Sequence, residues 1–446
     1  MENNSLDMER TKVAIVGMGT VGSGVARLLL DHGDRTARHA GRTLWLEQVV
    51  VRDIHKKRDA DLPTGLISDD LEKITGDPEI KVVAQLIGGL EPAKTIMLRL
   101  LESGKDVVTA NKALLAEHGP ELFDRARDLG RTIAFEASVA GGIPIVANIG
   151  QCLSANQVTS IRAILNGTSN YILSQMEAAG LSFENGVADA KEKGFAEADP
   201  RMDVDGTDAT QKLAILAHLA FGARIHWSEI PRTGIEGVSQ QDIHFAELLG
   251  YRIRLLAIAQ MNQSALELHV SPTLIRIGQP LGEVRGPYNA VSVVGDAVGR
   301  VFFHGQGAGR MPTASAVVAD MIDTAVGRTQ LTFRNLELWS DQQAPVAILD
   351  PSMASSRYFT RFMIQDQPGM LAKIAGIFGS NGISISSVIQ HEPQMSKDDL
   401  VPLVPLVIMT YNATAAAARQ SLQEIEKLDS VQPGSLFLRV LDTSSL

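Results

Sequence analysis

From Lys12 the run K-V-A-I-V-G is apolar and β-branched, glycines follow it, and V-A-R-L-L-L-D then keeps helical spacing up to Gly33. The pattern predicts a strand, a tight turn and a helix. Further strands are predicted over residues 44–51, 82–87 and 106–109, with helical patterns between the later ones. Such alternation predicts an α/β domain, a doubly wound parallel sheet with right-handed crossovers. R-T-I-A-F-E-A-S-V, from Arg131, supplies another strand, and A-G-G-I-P at 140–144 ends the pattern, so the first domain is placed at 10–144.

Over 145–338 helices such as 208–223 mix with β-rich stretches such as 291–303, and the turn H-G-Q-G-A-G-R precedes a last helix. This is the pattern of an α+β domain. Residues 339–356 are rich in Gln, Asp, Pro and Ser without periodicity and read as a linker, after which a third domain occupies 357–446. The full length of 446 residues is too great for a single core and agrees with about three domains. No fixed-period repeat or low-complexity tract points to a solenoid or a propeller.

Net charge narrows the partners. At −10 the chain would repel a phosphate backbone, and no long basic block offsets this, so no nucleic acid is expected. Cys152 is the only cysteine, which rules out intrachain disulfides and thiolate metal clusters and suits a reducing cytoplasm. The polar, acidic N-terminus lacks a secretory pattern. Apolar runs stay well under the roughly 20 residues of a membrane helix, so no span is expected.

Gly17, Gly19 and Gly22 form G-x-G-x-x-G between the first strand and its helix, the context in which small backbones let a pyrophosphate approach a helix N-terminus. The first domain is therefore read as a Rossmann-type dinucleotide-binding domain. An acidic residue that would hold the ribose of NAD is due roughly 20 residues later. Asp53 comes later than that, a delay the polar insert at 34–42 accounts for. Arg52, Lys56, Lys57 and Arg58 around it could equally hold the 2′-phosphate of NADP, or form a solvated turn.

From Gly194 to Lys212 the chain packs Glu197, Asp199, Asp203, Asp205 and Asp208 ahead of a helix. Asp208 and Lys212 are four apart and share a helix face. An exposed ion pair is one account. The other is acid–base chemistry: an aldehyde being reduced must receive a proton as hydride reaches its carbonyl carbon, and Lys212 could supply it. Burial would lower the pKa of that lysine while Asp208 would oppose the shift. Lys112, in T-A-N-K after the strand at 106–109, stands where doubly wound sheets bind ligands, or simply starts a helix. N-G-T-S-N-Y at 166–171 offers amides and hydroxyls for an amino acid, or a helix cap. The histidines are scattered without ligand spacing, and a catalytic zinc is not expected.

Taken in order, G-M-G-T-V-G, T-A-N-K, L-N-G-T-S-N-Y, G-F-A-E-A-D-P and G-x-D-x-x-x-K resemble the homoserine dehydrogenases over about residues 10 to 330. The resemblance implies NADP- or NAD-dependent, reversible reduction of L-aspartate 4-semialdehyde to L-homoserine on the route to threonine and methionine. It implies Lys212 as proton donor, Asp208 as its partner, Glu197 as ligand of the substrate amino group and Asp203 as a further substrate contact. Lys112 becomes a shared nicotinamide and substrate contact. Thr20 and Val21 in the glycine turn and Gly309 match cofactor-contacting positions. Glu136, Val139, Gly141 and Ile143 match a stretch that can hold a sodium ion.

R-F-M-I-Q-D-Q-P-G-M-L-A-K-I-A-G-I-F-G-S-N-G-I-S-I resembles an ACT domain, a βαββαβ unit that binds amino acids at paired interfaces. The resemblance implies threonine as effector near Asn381 and Gly382, and a homodimer or homotetramer; a purely structural module is the other account. Two further readings stay open: a non-catalytic sensor of dinucleotide and amino acid, and an oxidoreductase acting on another small carbonyl compound.

Overall fold

The computed structural model describes residues 9–31, 33–58, 62–63, 65–339, 345–390 and 403–441. Strand β1 (Arg10–Val16) carries the first apolar run, and Val13, Ala14 and Ile15 have no exposed surface. A strand apolar on both faces must be covered on both. It lies inside a six-stranded sheet with β2 (Thr43–Val50), β3 (Ile67–Ser68), β4 (Ile80–Gln85), β5 (Asp106–Thr109) and β6 (Ile133–Ala134). All pairs are parallel, in the order β3-β2-β1-β4-β5-β6. Strand order reverses between β1 and β4, which opens a crevice at the carboxyl ends of the strands.

Two local expectations change. The strand expected from Arg131 pairs over only two residues and passes into a 3₁₀ turn, Glu136–Ser138, because the Glu136 carboxylate accepts the N–H groups of Val146 and Ala147 at 2.9 and 2.7 Å and bends the chain. The polar insert at 34–42 is mostly helix, Gly33–Ala40.

Helices Ala93–Glu102 and Lys112–Asp128 cover one sheet face through Met97, Leu100, Leu114 and Phe123, which pack with Ala14 and Val16. The helix Thr20–Asp31 covers the other. It is joined there by a helix from far along the chain, Arg310–Ala325, whose Ala314, Val317 and Met321 cluster with Val13, Ile15 and Val25. The chain thus leaves the first sheet near residue 140 and returns to complete its cover.

The second sheet contains β7 (Val158–Ile164), β8 (Tyr251–Asn262), β9 (Ala265–Arg276), β10 (Tyr288–Gly295), β11 (Gly299–Gln306), β12 (Ala347–Ile348), β13 (Ser355–Gln365), β14 (Ile385–Gln390), β15 (Leu403–Thr410), β16 (Ala413–Thr414) and β17 (Leu436–Val440). Its order is β11-β10-β7-β8-β9-β17-β13-β15-β14, with β12 on β9 and β16 on β13. The β-rich stretch expected at 291–303 is the β10–β11 hairpin.

The third domain is continuous with the middle one. β17 pairs in parallel with β9, joining Arg439 to Thr273 and Val440 to Leu274. Phe359, Val407, Met409, Leu438 and Val440 belong to the same apolar cluster as the middle domain, while Tyr358, Phe362, Leu406 and Ile408 face the helices Met370–Ser380 and Ala415–Ile425. Between the domains Arg361 pairs with fully buried Asp242, which also closes a capping box with Ser239 at the start of the helix Gln240–Leu248. Removing either partner would strand a charge in the interior.

Of the expected linker 339–356, residues 340–344 lie outside the described residues. Trp339 is wedged between two helices: it meets Phe123 at 4.5 Å and stacks on His218 at 4.3 Å and 8°. His218 faces the Ala223 carbonyl through Nδ1 at 2.9 Å and accepts the Trp339 N–H at Nε2, 2.6 Å away, so its partners fit the neutral ring with the proton on Nδ1. Burial, aided by Arg224 and Arg127, pulls its pKa from 6.5 down to about 4. Between those values the unfolded chain binds a proton that the native ring refuses, so stability falls as pH falls. Relative to a His218→Gln variant, the protein is expected to lose about 3 kcal/mol from pH 6.5 to 4 in denaturant titrations, and parallel curves for the two would refute the assignment.

Candidate active site

Gly17 adopts φ +98° between β1 and the helix Thr20–Asp31, and its N–H bonds the Val50 carbonyl at 2.9 Å. A β-carbon on Gly22 would overlap the Gly17 carbonyl oxygen, so only glycine lets the helix start this close to the strand. A β-carbon on Gly19 would meet nothing within 4 Å, which shows open space in front of the first helical turn. A pyrophosphate fits this cradle, with Thr20 and Val21 at the helix N-terminus. Gly309 caps the helix Arg310–Ala325, which packs so tightly on the glycine-turn helix that a β-carbon at Gly24 would come within 2.9 Å of the Ala314 side chain.

Across the crevice stands the helix Thr207–Phe221, begun by Gly206 at φ +84° and ended by Gly222 at φ +68°. Its residues from Thr207 to Gln211 and Leu213 to His218 are buried, which leaves its charged pair inside the protein. Asp208 accepts from Lys212 Nζ at 2.7 Å through Oδ2 and meets Lys112 Nζ at 3.0 Å through Oδ1. One carboxylate therefore joins an ammonium on the middle-domain helix to one at the first turn of Lys112–Asp128, at the carboxyl end of β5. Lys212 also donates to the Leu165 carbonyl at 2.8 Å.

The two lysines diverge. Burial pulls Lys212 below its ordinary value, Lys112 adds to the shift, and Asp208 opposes it. Lys112 keeps about a third of its side chain exposed and is pushed up, first by Asp208 and then by Asp203 and Glu197, against a smaller burial effect. Burial alone would raise Asp208, but the two ammonium groups outweigh it and hold the carboxyl well below the usual range. Burial raises Asp203, while an amide hydrogen bond from Asn166 opposes the rise.

Sequence reasoning missed the polar scaffold around this cluster. Asn166, in the segment read as ligand-binding amides or a helix cap, accepts the Ser169 N–H at 2.7 Å as cap of the helix Gly167–Ala179. Its Nδ2 donates to Asp203 at 2.7 Å and Asp208 at 2.9 Å. Asn111 caps the helix that starts at Lys112 and donates to the carbonyls of Ile87 and Gly89 at 3.0 and 2.7 Å, holding the loop after β4. Asn289 donates to the Leu165 carbonyl at 3.0 Å, and no local pattern announced it.

Other expected residues stand further out. Glu197 is exposed on the loop before Asp203, its charge reaching Lys112. Arg52 is exposed just past β2. Beside it the Asp53 carboxylate accepts the N–H groups of His55 and Lys56 at 2.9 and 3.2 Å and so shapes its own turn. In the stretch with Glu136, Val139, Gly141 and Ile143, the two carboxylate oxygens of Glu136 accept the N–H groups of Val146 and Ala147. Among the described residues no group of three or more His, Cys, Asp or Glu is placed to hold a metal, and no helix is long and apolar enough to cross a membrane.

Comparison with known proteins agrees with this layout. Residues 17–136 match the family model "Homoserine dehydrogenase, NAD binding domain", residues 144–322 match "Homoserine dehydrogenase", and residues 358–429 match "ACT domain". The chain is 39% identical to the homoserine dehydrogenase of Pseudomonas aeruginosa over 97% of its own length and 99% of the relative's. It is 40% identical to that of Synechocystis over 96% and 99%. Among solved structures, a homoserine dehydrogenase from Thiobacillus denitrificans superposes with a TM-score of 0.90 at 37% identity, covering 98% of this chain and 99% of that one. With a dinucleotide cradle, a two-lysine centre and relatives matched almost end to end, the chain belongs to the homoserine dehydrogenase family, in a form that carries a C-terminal ACT domain.

Proposed function

We propose that Lys212 carries the proton in the interconversion of L-aspartate 4-semialdehyde and L-homoserine, with Asp208 orienting it and Lys112 serving as a fixed positive charge for substrate and nicotinamide. The observation that carries this reading is the shared Asp208 carboxylate. Of the three N–H bonds of the Lys212 ammonium, two point to Asp208 and Leu165, which leaves one to aim at a substrate oxygen. The nicotinamide, when bound in the crevice, supplies or accepts the hydride at the substrate carbon. Lys212 gives its proton to the aldehyde oxygen in reduction and takes the hydroxyl proton in oxidation. Its lowered pKa favours both, whereas Lys112, pushed upward, stays cationic. Asp203 and exposed Glu197, whose charges act on Lys112, are the carboxylates proposed to receive the substrate ammonium group.

Lys212→Ala is expected to cut turnover at least about 100-fold with homoserine while leaving dinucleotide affinity, read by nucleotide fluorescence, nearly unchanged. An equal loss of nucleotide affinity, or unimpaired turnover, would refute the proton role.

For the cofactor, Asp53 is engaged in its own turn while Arg52, Lys56 and Lys57 stand exposed around it, which favours a 2′-phosphate and hence NADP over NAD. Arg52→Ala is expected to raise KM for NADPH about tenfold and KM for NADH much less, since it removes one charge-assisted contact. Equal changes for both cofactors would overturn this preference.

The turn at Asn381 and Gly382, where Gly382 adopts φ +71°, is the proposed threonine position of the ACT domain. Calorimetric titration of the full chain with L-threonine is expected to saturate over the same concentrations that inhibit the enzyme. Absence of binding, or binding without a change in rate, would defeat the feedback role. The second sheet ends on β11 and β14, each with one backbone edge unpaired among the described residues, and pairing with other copies of the chain fits a homodimer or homotetramer. A cytoplasmic location fits a pathway enzyme with a single cysteine.

A further inference from the structure

We infer that Asn166 is a positioning residue of the reaction: by donating both hydrogens of its amide, one to Asp203 and one to Asp208, it fixes the carboxylate that holds the two lysines. The inference rests on the role proposed for Lys212. Asn166 is 4% exposed and its side chain is fully engaged, with Oδ1 accepting the Ser169 N–H and Nδ2 reaching Asp203 Oδ1 at 2.7 Å and Asp208 Oδ2 at 2.9 Å. This sets its orientation, because the flipped amide would turn an oxygen toward two carboxylates and N–H toward N–H.

The bridge has a geometric consequence. Asp208 Oδ2 receives both Lys212 and Asn166, which leaves Oδ1 to Lys112. Without the amide, Asp208 could rotate away from one lysine, and Asp203 would face it with no donor between them. The charged groups around the bridge are Asp208 and Lys212 on the Thr207–Phe221 helix, Lys112 at the start of its own helix, Asp203 on the short helix Arg201–Val204 and Glu197 on the preceding loop. Extra negative charge at position 166 would therefore press directly on Asp203 and Asp208.

Two substitutions separate the bridge from the helix cap, since Asp and Ser both cap helices well. In Asn166→Asp the capping oxygen remains, but the bridging hydrogens become an oxygen that repels both carboxylates. As pH falls a proton is taken up there, and the single carboxylic O–H restores one of the two donated bonds and removes the repulsion. The expected result is a kcat with homoserine reduced about 10- to 100-fold at alkaline pH, recovering toward wild type as pH is lowered, with dinucleotide affinity unchanged. Asn166→Ser keeps the cap without reaching the carboxylates, so it should melt near the wild-type temperature and lose kcat to a similar degree with no acid recovery. A wild-type kcat in Asn166→Ser, or an Asn166→Asp variant that follows the wild-type pH profile or is reduced equally at every pH, overturns the inference. Lys212→Ala assayed in parallel keeps the readings apart: if that variant turns over normally the proton role fails, while the acid recovery of Asn166→Asp reports on the bridge alone.

Discussion

A single carboxylate, that of Asp208, holds two ammonium groups carried by different domains, and the arrangement of the molecule follows from the need to keep all three charged groups together. An unpaired charge moved into a protein interior meets a desolvation penalty large enough to neutralise it. Asp208, Lys212 and the inner part of Lys112 lie together with Asp203, so two negative and two positive side chains offset one another. The balance is uneven by design of the surroundings: Lys212 is the more deeply buried of the two lysines and is driven down, while Lys112 faces more carboxylate and is driven up. Two chemically identical side chains are shifted in opposite directions by their neighbours alone.

The fold places these charges by crossing between sheets. The carboxyl end of β5 delivers Lys112, the buried Thr207–Phe221 helix delivers Asp208 and Lys212, and the Arg310–Ala325 helix returns to close the back of the first sheet. The outgoing and returning segments touch, with Gly142 donating to the Gln306 carbonyl at 3.0 Å, and a β-carbon at Gly141 would overlap the Gly307 carbonyl oxygen. Small residues in both passages are thus a packing requirement. They allow two backbones to run side by side where the crevice between nucleotide and substrate domains begins.

What could be read from the sequence depended on how local its cause is. The glycine turn, the parallel alternation and the four-residue spacing of Asp208 and Lys212 are all set within a few residues, and each pattern maps onto the observed elements. Lys112 could be placed at a strand end, but its tie to Asp208 spans the chain and left no periodic trace. Asn166 showed itself only as a helix cap, because its second role is defined by partners about forty residues away. The strand from Arg131 shortened for the same reason: Glu136 answers to N–H groups beyond the next turn rather than to its own β-propensity. Trp339 read as the start of a polar linker, yet tertiary packing against Phe123 and His218 overrides that composition.

The junction with the ACT domain bears on how an effector there could reach the reaction. A tethered module could shift freely without consequence, but here β17 completes the edge of β9 and the buried Arg361–Asp242 pair crosses the boundary. The Gln240–Leu248 helix that holds Asp242 packs on the Gly167–Ala179 helix, whose cap is Asn166. Any ACT rearrangement that displaced β13 would have to carry Asp242 with it or leave a buried guanidinium unpaired, and the second course costs about 3–5 kcal/mol. That exceeds the 1–3 kcal/mol typical of allosteric coupling. Movement of the ACT sheet is therefore bound to movement of the helix beneath it, and packed elements connect the ACT domain to Asp203 and Asp208.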